Sequence, residues 1–255
     1  DAGDRANDAV RANANELQCR VVGEGGNLGL TQLGRVEYAL DGGLIYTDFI
    51  DNSAGVNCSD HEVNIKILLN EVVANGDMTE KQRNKLLAEM TSEVSTLVLR
   101  DNYKQTQAIS LMARRTKENL DMYIRYINDL EQRGKLDRDL EFLPAEKELV
   151  ERRSKSHGLT RPEISVLLAY SKTILKAAVL KSDVPEDPYL SKELVREFPE
   201  PLHGNNFEQM QQHSLRREIT ATQLSNTLVN QMGVAFIDRM QDETGASVAR
   251  IVRAF

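Results

Sequence analysis

Two stretches of small and polar residues have the composition expected of a ligand-binding edge. The first runs from Gly23 to Gly29 and holds four glycines in seven positions, together with Asn27. The second, Asn52 to Val56, begins with another asparagine. Glycine allows positive φ and lets a backbone approach a ligand closely. These loops therefore predict binding, and they do not by themselves predict a reaction.

Each loop follows a short apolar segment that predicts a β-strand, namely Cys19 to Val22 and Leu44 to Phe49. Between them, Thr31 predicts the N-cap of a helix that ends near Leu40. The order strand, loop, helix, strand predicts parallel strands joined by a right-handed crossover. Ligands of such sheets bind beyond the carboxyl ends of the strands. Because two or three strands do not make a stable open sheet alone, the rest of the sheet is expected upstream.

The glycine-rich loop resembles the G-x-G-x-x-G dinucleotide fingerprint only in part. Gly23 and Gly25 fit its first two positions, but Leu28 stands where the third glycine belongs. On spacing alone, a glycine-rich turn that binds nothing is as good an interpretation as a cofactor loop.

The remainder of the chain predicts helices. Capping boxes at Ser59–Glu62, Thr79–Gln82 and Thr160–Glu163 predict three helix starts. Apolar residues at helical spacing predict longer helices over about 103–133 and 206–240. The predicted fold is predominantly α-helical, with a small parallel β/α remnant of a Rossmann-like domain at the N-terminus.

Composition excludes several classes of function. The net charge of −7 argues against a general nucleic-acid binder, and no apolar run is long enough to cross a membrane. Cys19 and Cys58 are too few for a disulfide framework, which favours a reducing cytoplasm. The four histidines lack the spacing of metal ligands, so no metal site is predicted. With no initiator Met and a helical pattern at its last residue, the chain is expected to be a piece of a longer one.

Several stretches resemble the large, multi-domain bacterial class of NAD-specific glutamate dehydrogenase. They are VVGEGGNLGLTQLGR (21–35), YTDFIDNSAGVNCSDHEVNIKILL (46–69), RDNYKQTQ (100–107), GLTRPE (158–163) and LVNQMG (228–233). The resemblance covers essentially the whole chain. It implies an enzyme that oxidatively deaminates L-glutamate to 2-oxoglutarate and ammonium with NAD as the cofactor.

The resemblance also implies site residues. Glu24-Gly25-Gly26-Asn27 is similar to a Glu-Gly-Ala-Asn stretch of the cofactor domain, which makes Gly25, Gly26 and Asn27 candidate NAD contacts. Asn52 corresponds to an asparagine near the nicotinamide ribose, and Ser59 to a serine that holds the substrate's side-chain carboxylate. A carboxylate is stabilised at a helix N-terminus. The alternatives stay open: Ser59 is then only an N-cap, and the asparagines only cap loops.

The family's catalytic lysine and proton-transferring aspartate lie upstream, so no catalytic residue is assigned in this chain, and the chain alone is expected to be inactive. The resemblance predicts residues 1–58 as the C-terminal part of a Rossmann-like NAD-binding domain. It predicts 59–255 as a helical region, with hinge-type helices over 59–133 and a helical bundle over 144–255. The expected partners are the upstream domains and further copies of the chain. Two alternatives remain: a non-catalytic helical module for oligomerisation or regulation, and part of another amino-acid dehydrogenase.

Overall fold

A computed structural model describes residues 5–204 and 206–255, most of which are helical. The helices, in chain order, are α1 Gln32–Leu40, α2 Asp48–Asp51, α3 Ser53–Ala74, α4 Glu80–Glu89, α5 Thr91–Arg115, α6 Leu120–Gln132, α7 Glu146–Ser154, α8 Arg161–Leu180, α9 Ser191–Val195, α10 Phe207–Gln212, α11 Arg216–Met232, α12 Phe236–Thr244 and α13 Val248–Ala254. Within these two described ranges, no helix is both long and apolar enough to span a bilayer.

The chain divides into two compact units, each made of two segments. Unit 1 consists of Asp1–Asn52, as far as it is described, and Ile109–Val166. Unit 2 consists of Ser53–Ala108 and Leu167–Phe255. The chain passes from one unit to the other immediately before α3, inside α5 and inside α8.

Unit 1 contains a single parallel β-bridge where two parallel strands were predicted. The bridge joins Val21 to Leu44. Its hydrogen bonds run from the Val22 N–H to the Leu44 carbonyl at 2.9 Å and from the Leu44 N–H to the Arg20 carbonyl at 3.0 Å. In the described part of the chain no segment forms a strand, so the strand predictions for Cys19–Val22 and Leu44–Phe49 are wrong. Val21 and Leu44 stay 63% and 40% exposed, since no neighbouring strand extends the pair.

The second predicted strand ends early because helix begins at Asp48. Thr47 has extended backbone and precedes α2, whose short turn ends at Asn52. The next residue, Ser53, already belongs to α3. The predicted loop Asn52–Val56 is therefore helical after its first residue. The predicted capping box at Ser59 is also wrong, because α3 begins six residues before Ser59.

Unit 2 contains a large apolar cluster. Its fully buried members come from α3, from Met90, and from residues between 194 and 219: Ile65, Leu68, Leu69, Met90, Leu194, Phe198, Leu202, Met210 and Ile219. Unit 1 has a smaller cluster, of Ala14, Tyr38 and Ile45, beside the Val21–Leu44 bridge.

Three of the predicted helix-capping interactions are present in the structure. Thr31 accepts a hydrogen bond from the Gly34 N–H at 3.1 Å and caps α1. Thr79 and Gln82 form the predicted reciprocal box at the start of α4. Near α8, Glu163 reaches back to the Thr160 N–H at 2.6 Å.

Two predicted long helices are interrupted by tertiary contacts. The helix predicted over 103–133 breaks between α5 and α6, where the Thr116 hydroxyl accepts the Leu159 N–H at 2.9 Å. The helix predicted over 206–240 breaks at His213. The ring of this buried histidine accepts the Leu215 N–H at 3.0 Å, replacing a helical carbonyl, and its Nε2 lies 3.1 Å from the Asn64 carbonyl oxygen.

Candidate functional site

The two asparagines predicted to contact the cofactor meet in the folded chain. The Asn52 side-chain amide donates to Oδ1 of Asn27 at 3.0 Å. Asn27 is exposed, and Asn52 is half-buried at the turn between α2 and α3. The residues are 25 positions apart, so this pairing brings the glycine-rich loop beside the end of α2.

Three carboxylates hold the backbone of the glycine-rich loop. Glu24 Oε1 accepts the Leu30 N–H at 2.9 Å. Asp48 Oδ2 accepts the Leu28 N–H at 2.9 Å. Asp51 Oδ2 accepts the N–H of Glu24 at 2.8 Å. Hydrogen bonds to charged acceptors are stronger than hydrogen bonds between neutral groups. The loop is therefore fixed at its beginning, middle and end by groups from α2 and from the loop itself.

Arg35 of α1 neutralises part of this acidic cluster. Its Nε lies 2.5 Å from Glu24 Oε2 and its Nη2 lies 2.9 Å from Glu24 Oε1, a bidentate pair. Nη2 also lies 3.3 Å from Asp48 Oδ1. The side chains of Arg35 and Glu24 are 6% and 3% exposed. Removing one partner of a buried pair leaves an uncompensated charge and costs about 3–5 kcal/mol.

The cluster of Glu24, Arg35, Asp48 and Asp51 has three acidic groups and one basic group. Burial alone would lower the pKa of Arg35, but hydrogen bonding and attraction to Glu24, with smaller effects of Asp48 and Asp51, raise this pKa above its ordinary value. Burial raises the pKa of Asp51, and the Glu24 N–H and Arg35 only partly oppose that shift. A metal-binding group of three or more His, Cys, Asp or Glu side chains is not found among residues 5–204 and 206–255.

Gly25 and Gly26 are exposed in this loop, and neither is required by the local fold. A Cβ atom built at either position meets nothing within 4 Å, and neither residue has left-handed φ. Both backbones are therefore open to the approach of another group. This geometry fits a cofactor cradle, because a glycine at such a position leaves room for a bound molecule.

Leu28, in the same loop, is a non-glycine residue in a conformation that favours glycine. Its φ is 60°, in the left-handed region that favours glycine. Most L-residues adopt this region at a cost of roughly 1–2 kcal/mol. Its side chain is 83% exposed, so packing within the described chain does not offset the cost.

Ser59 does not occupy a helix N-terminus. It lies in the second turn of α3, in unit 2, where its hydroxyl donates to the Gly55 carbonyl at 3.4 Å. The side chain is exposed. The predicted argument from free N–H groups around Ser59 is wrong, because α3 begins at Ser53. The predicted contact with the substrate stays a prediction that rests on the family resemblance.

Sequence reasoning missed the residues that build the loop. Glu24 was seen only as part of a motif, and Arg35, Asp48 and Asp51 were not singled out. Their signal was weak but present, since all four lie inside the first two of the stretches that carry the resemblance, 21–35 and 46–69. Acidic side chains three residues apart, as at Asp48 and Asp51, project from one face of a helical turn.

Unit 2 contains a second buried polar cluster, around Glu197. Its Oε1 lies 3.1 Å from His61 Nδ1 and accepts the Asn64 side-chain amide at 3.1 Å. Its Oε2 accepts the Gln223 amide at 2.5 Å. Burial alone would lower the pKa of His61, but Glu197, with Asp101, raises this pKa above its ordinary value. The cluster ties α3 to the segment that follows α9 and to α11.

Lys172 of α8 is a further half-buried ionisable group of unit 2. Its Nζ donates to Oε1 of Gln105 at 2.8 Å. Burial lowers the pKa of Lys172 to about 7, against the attraction of Asp101. This amine is therefore partly neutral at neutral pH.

A cleft of about 510 Å³ lies in unit 1 between α1 and residues 138–152. Leu33, Val36 and Phe142 contribute apolar surface. Both of its arginines are already engaged: Arg138 with Glu131 and Asn128, and Arg152 with Glu148 and Glu163. The arginines of the cleft are therefore occupied by contacts within unit 1.

Two family models match the chain. One, described as bacterial NAD-glutamate dehydrogenase, catalytic domain, covers residues 1–112. The other, described as glutamate dehydrogenase, C-terminal, covers residues 156–255. Both asparagines, Ser59 and the acidic cluster lie in the first match.

Three curated relatives match over all 255 residues, and each is called NAD-specific glutamate dehydrogenase. The protein of Pseudomonas aeruginosa is 57% identical, that of Halomonas elongata 55%, and that of Mycobacterium tuberculosis 43%. The matches cover 100% of this chain but 16% of each relative. No solved structure matched. By these matches the chain belongs to the bacterial NAD-specific glutamate dehydrogenase family, and it spans a small part of the relatives that it matches.

Proposed function

We propose that this chain is the late part of the cofactor-binding domain, with the helical region that follows, of an enzyme that oxidatively deaminates L-glutamate. The products are 2-oxoglutarate and ammonium, and NAD serves as the two-electron acceptor. The observation that supports this most directly is the amide pair of Asn27 and Asn52 on a loop fixed by buried ions. The names of the relatives support the reaction and the cofactor.

The proposed roles follow the exposed groups of the site. Asn27 and Asn52 would donate hydrogen bonds to the nicotinamide ribose end of NAD, and the open backbones of Gly25 and Gly26 would let it approach. Ser59 would hold the side-chain carboxylate of glutamate. In this proposal Glu24, Arg35 and Asp48 do not touch ligand; they hold the loop in the shape that binds it.

The domain assignment is part of the proposal. Residues 1–58 would complete a Rossmann-like domain, in which the Val21–Leu44 bridge is the edge of a sheet supplied by the upstream chain. The exposed Val21 and Leu44 side chains support this arrangement. Helices within 59–133 would act in hinge closure, and 144–255 would form a bundle. We also propose a homo-oligomer in the cytoplasm; the free thiols of Cys19 and Cys58 fit a reducing compartment.

Substitution of Asn52 in the full-length enzyme tests the proposal. Asn52→Ala and Asn27→Ala should each raise the KM for NAD about tenfold, which corresponds to about 1.4 kcal/mol. The matched control is Asn75→Ala, which changes an exposed asparagine after α3. If both site variants kept the normal KM while the control behaved identically, the amide pair would be only a structural contact.

The same experiment separates the enzyme from the main alternative, a non-catalytic helical module. In that alternative the two variants would change stability and leave both Michaelis constants unchanged. The 255-residue chain alone is expected to be inactive, since the family's catalytic lysine and aspartate lie upstream by resemblance. Reduction of NAD by glutamate with the purified chain would contradict this expectation.

A further inference from the structure

Leu28 has a left-handed backbone conformation, which is unfavourable for leucine. Three non-glycine residues in the described ranges have positive φ, and Leu28 is the most exposed of their large apolar side chains, at 83% against 49% for Phe142. In the same loop, Gly25 and Gly26 occupy positions where neither φ nor crowding requires glycine. Glycine is thus absent at the position whose conformation favours it.

The conformation of Leu28 is imposed by its neighbours. The Asp48 carboxylate, 11% exposed, accepts the Leu28 N–H at 2.9 Å and lies 3.3 Å from Arg35. On one side, Asn27 is held by Asn52. On the other side, Gly29 packs against Glu24, where an added Cβ would lie 3.2 Å from Oε1. Backbone strain persists where the surroundings determine it, and such positions cluster at binding sites.

The position of Leu28 suggests a use for this strained backbone. Leu28 directly follows Asn27, one of the two paired asparagines, and its side chain is exposed to solvent in the described chain. An exposed leucine contributes to binding only when an apolar surface covers it. The flat face of a nicotinamide ring can pack against such a side chain, and the paired amides of Asn27 and Asn52 supply hydrogen-bonding groups on the same loop and at the end of α2.

We infer that Leu28 is a contact residue for NAD, whose side chain covers one face of the nicotinamide ring. The inference rests on the proposed function, because it takes the amide pair as the binding site for that end of the cofactor. In this inference, the left-handed backbone of Leu28 serves to orient its side chain toward the cofactor. Leu28 touches the cofactor and has no role in moving protons.

The test measures NAD binding to the full-length enzyme by calorimetry. Leu28→Gly removes the contact and relieves the backbone, whereas Leu28→Ala removes most of the contact and keeps the strain. Both should weaken NAD binding about tenfold, a change of about 1.4 kcal/mol. Leu28→Met should bind within about twofold of the unmodified enzyme, because methionine replaces leucine with similar volume. Leu28→Gly should leave the melting temperature equal or higher.

Other outcomes would overturn the inference in distinguishable ways. Normal NAD affinity in Leu28→Gly together with weakened affinity in Asn52→Ala would remove Leu28 from the site and leave the proposed function intact. Normal affinity in both would contradict the proposed function itself. A lowered melting temperature with normal NAD affinity would show that Leu28 packs against another part of the polypeptide. A change confined to the KM for glutamate would assign Leu28 to the substrate.

Discussion

The two units use buried charge for different purposes. In unit 1, Glu24, Arg35 and Asp48 hold the backbone of a loop whose other side chains, Asn27 and Leu28, are exposed. In unit 2, His61 and Glu197 join helices that already pack around a large apolar cluster. The first cluster determines a shape that apolar packing cannot provide there; the second adds to packing that exists without it.

This difference follows from how much apolar surface each region can bury. The cluster beside the glycine-rich loop has three buried members, Ala14, Tyr38 and Ile45, with four partly buried apolar residues against them. A glycine-rich loop has few side chains to pack and loses much conformational entropy when it is ordered. Strong, charge-assisted hydrogen bonds are the remaining means of fixing it. A binding loop can therefore keep its exposed groups free for a ligand while its backbone is held from beneath.

The largest expected effect comes from Arg35. Arg35→Ala leaves Glu24 and Asp48 buried without their cation, at a cost of about 3–5 kcal/mol. In the full-length enzyme, hydrogen exchange of the Leu28 and Leu30 amides should accelerate about a hundredfold or more. The helices of unit 2 should keep their protection.

The control for Arg35 is Arg133→Ala, which removes a surface ion pair with Asp129. Surface pairs contribute about 0–1 kcal/mol, so this variant should leave the loop protected. If Arg35→Ala also left the exchange of the loop unchanged, the buried ions would not be what holds it.

Titration of Lys172 tests whether burial in unit 2 lowers the pKa of its amine. Because burial lowers the pKa of Lys172 to about 7, about half of its amine is neutral at pH 7, whereas a lysine in a model peptide titrates near 10.4. Acetylation followed by mass spectrometry should therefore give a labelling midpoint for Lys172 near pH 7. The exposed Lys85 serves as the internal reference for reagent activity. A Lys172 midpoint near 10 would contradict the assignment.

His61 should make unit 2 sensitive to pH. Its pKa is raised in the folded chain, so its contribution to stability is complete below the unfolded pKa of about 6.5 and is lost as pH rises through the folded pKa. The pKa of Asp60 is also raised in the folded chain, so its contribution to stability likewise falls as pH rises. The pKa of Lys172 is lowered, so its contribution rises with pH. Exchange of α3 amides, corrected for intrinsic rates, should therefore be compared between the unmodified enzyme and His61→Gln.

The comparison isolates His61 because Asp60 and Lys172 are present in both proteins. His61→Gln should lose the part of the pH dependence that lies above about 6.5. Identical pH profiles would show that the His61–Glu197 pair does not change its protonation with folding. The matched control is His203→Gln, which replaces a half-buried histidine that contacts the Phe198 carbonyl.

The smallest effect on stability is expected at Ser59. Since Ser59 lies inside α3 and is exposed, Ser59→Ala should change the stability of that helix by less than about 0.5 kcal/mol. Thr79→Ala removes a true N-cap and should cost about 1 kcal/mol at α4. Local hydrogen exchange distinguishes the two. A rise in the KM for glutamate in Ser59→Ala would then report contact with the substrate and not a loss of helix.

Local sequence signals predicted those features that depend on few neighbours. The caps at Thr31 and Thr79 form as predicted, because the partners lie within three residues. The helical class was also predicted correctly. The strands were not, because pairing of the segments around Val21 and Leu44 requires further strands that these residues do not supply.

For the site, the sequence determined the glycines, the two asparagines and their resemblance to one enzyme family. It could not determine that Asn27 and Asn52 would meet, or that Arg35 would pair with Asp48, since these contacts join residues 13 to 25 positions apart. Nor could it determine the conformation of Leu28. Left-handed φ is unfavourable for leucine and persists where contacts from the rest of the fold determine it. One such contact is the hydrogen bond from the Leu28 N–H to the Asp48 carboxylate, 20 positions away.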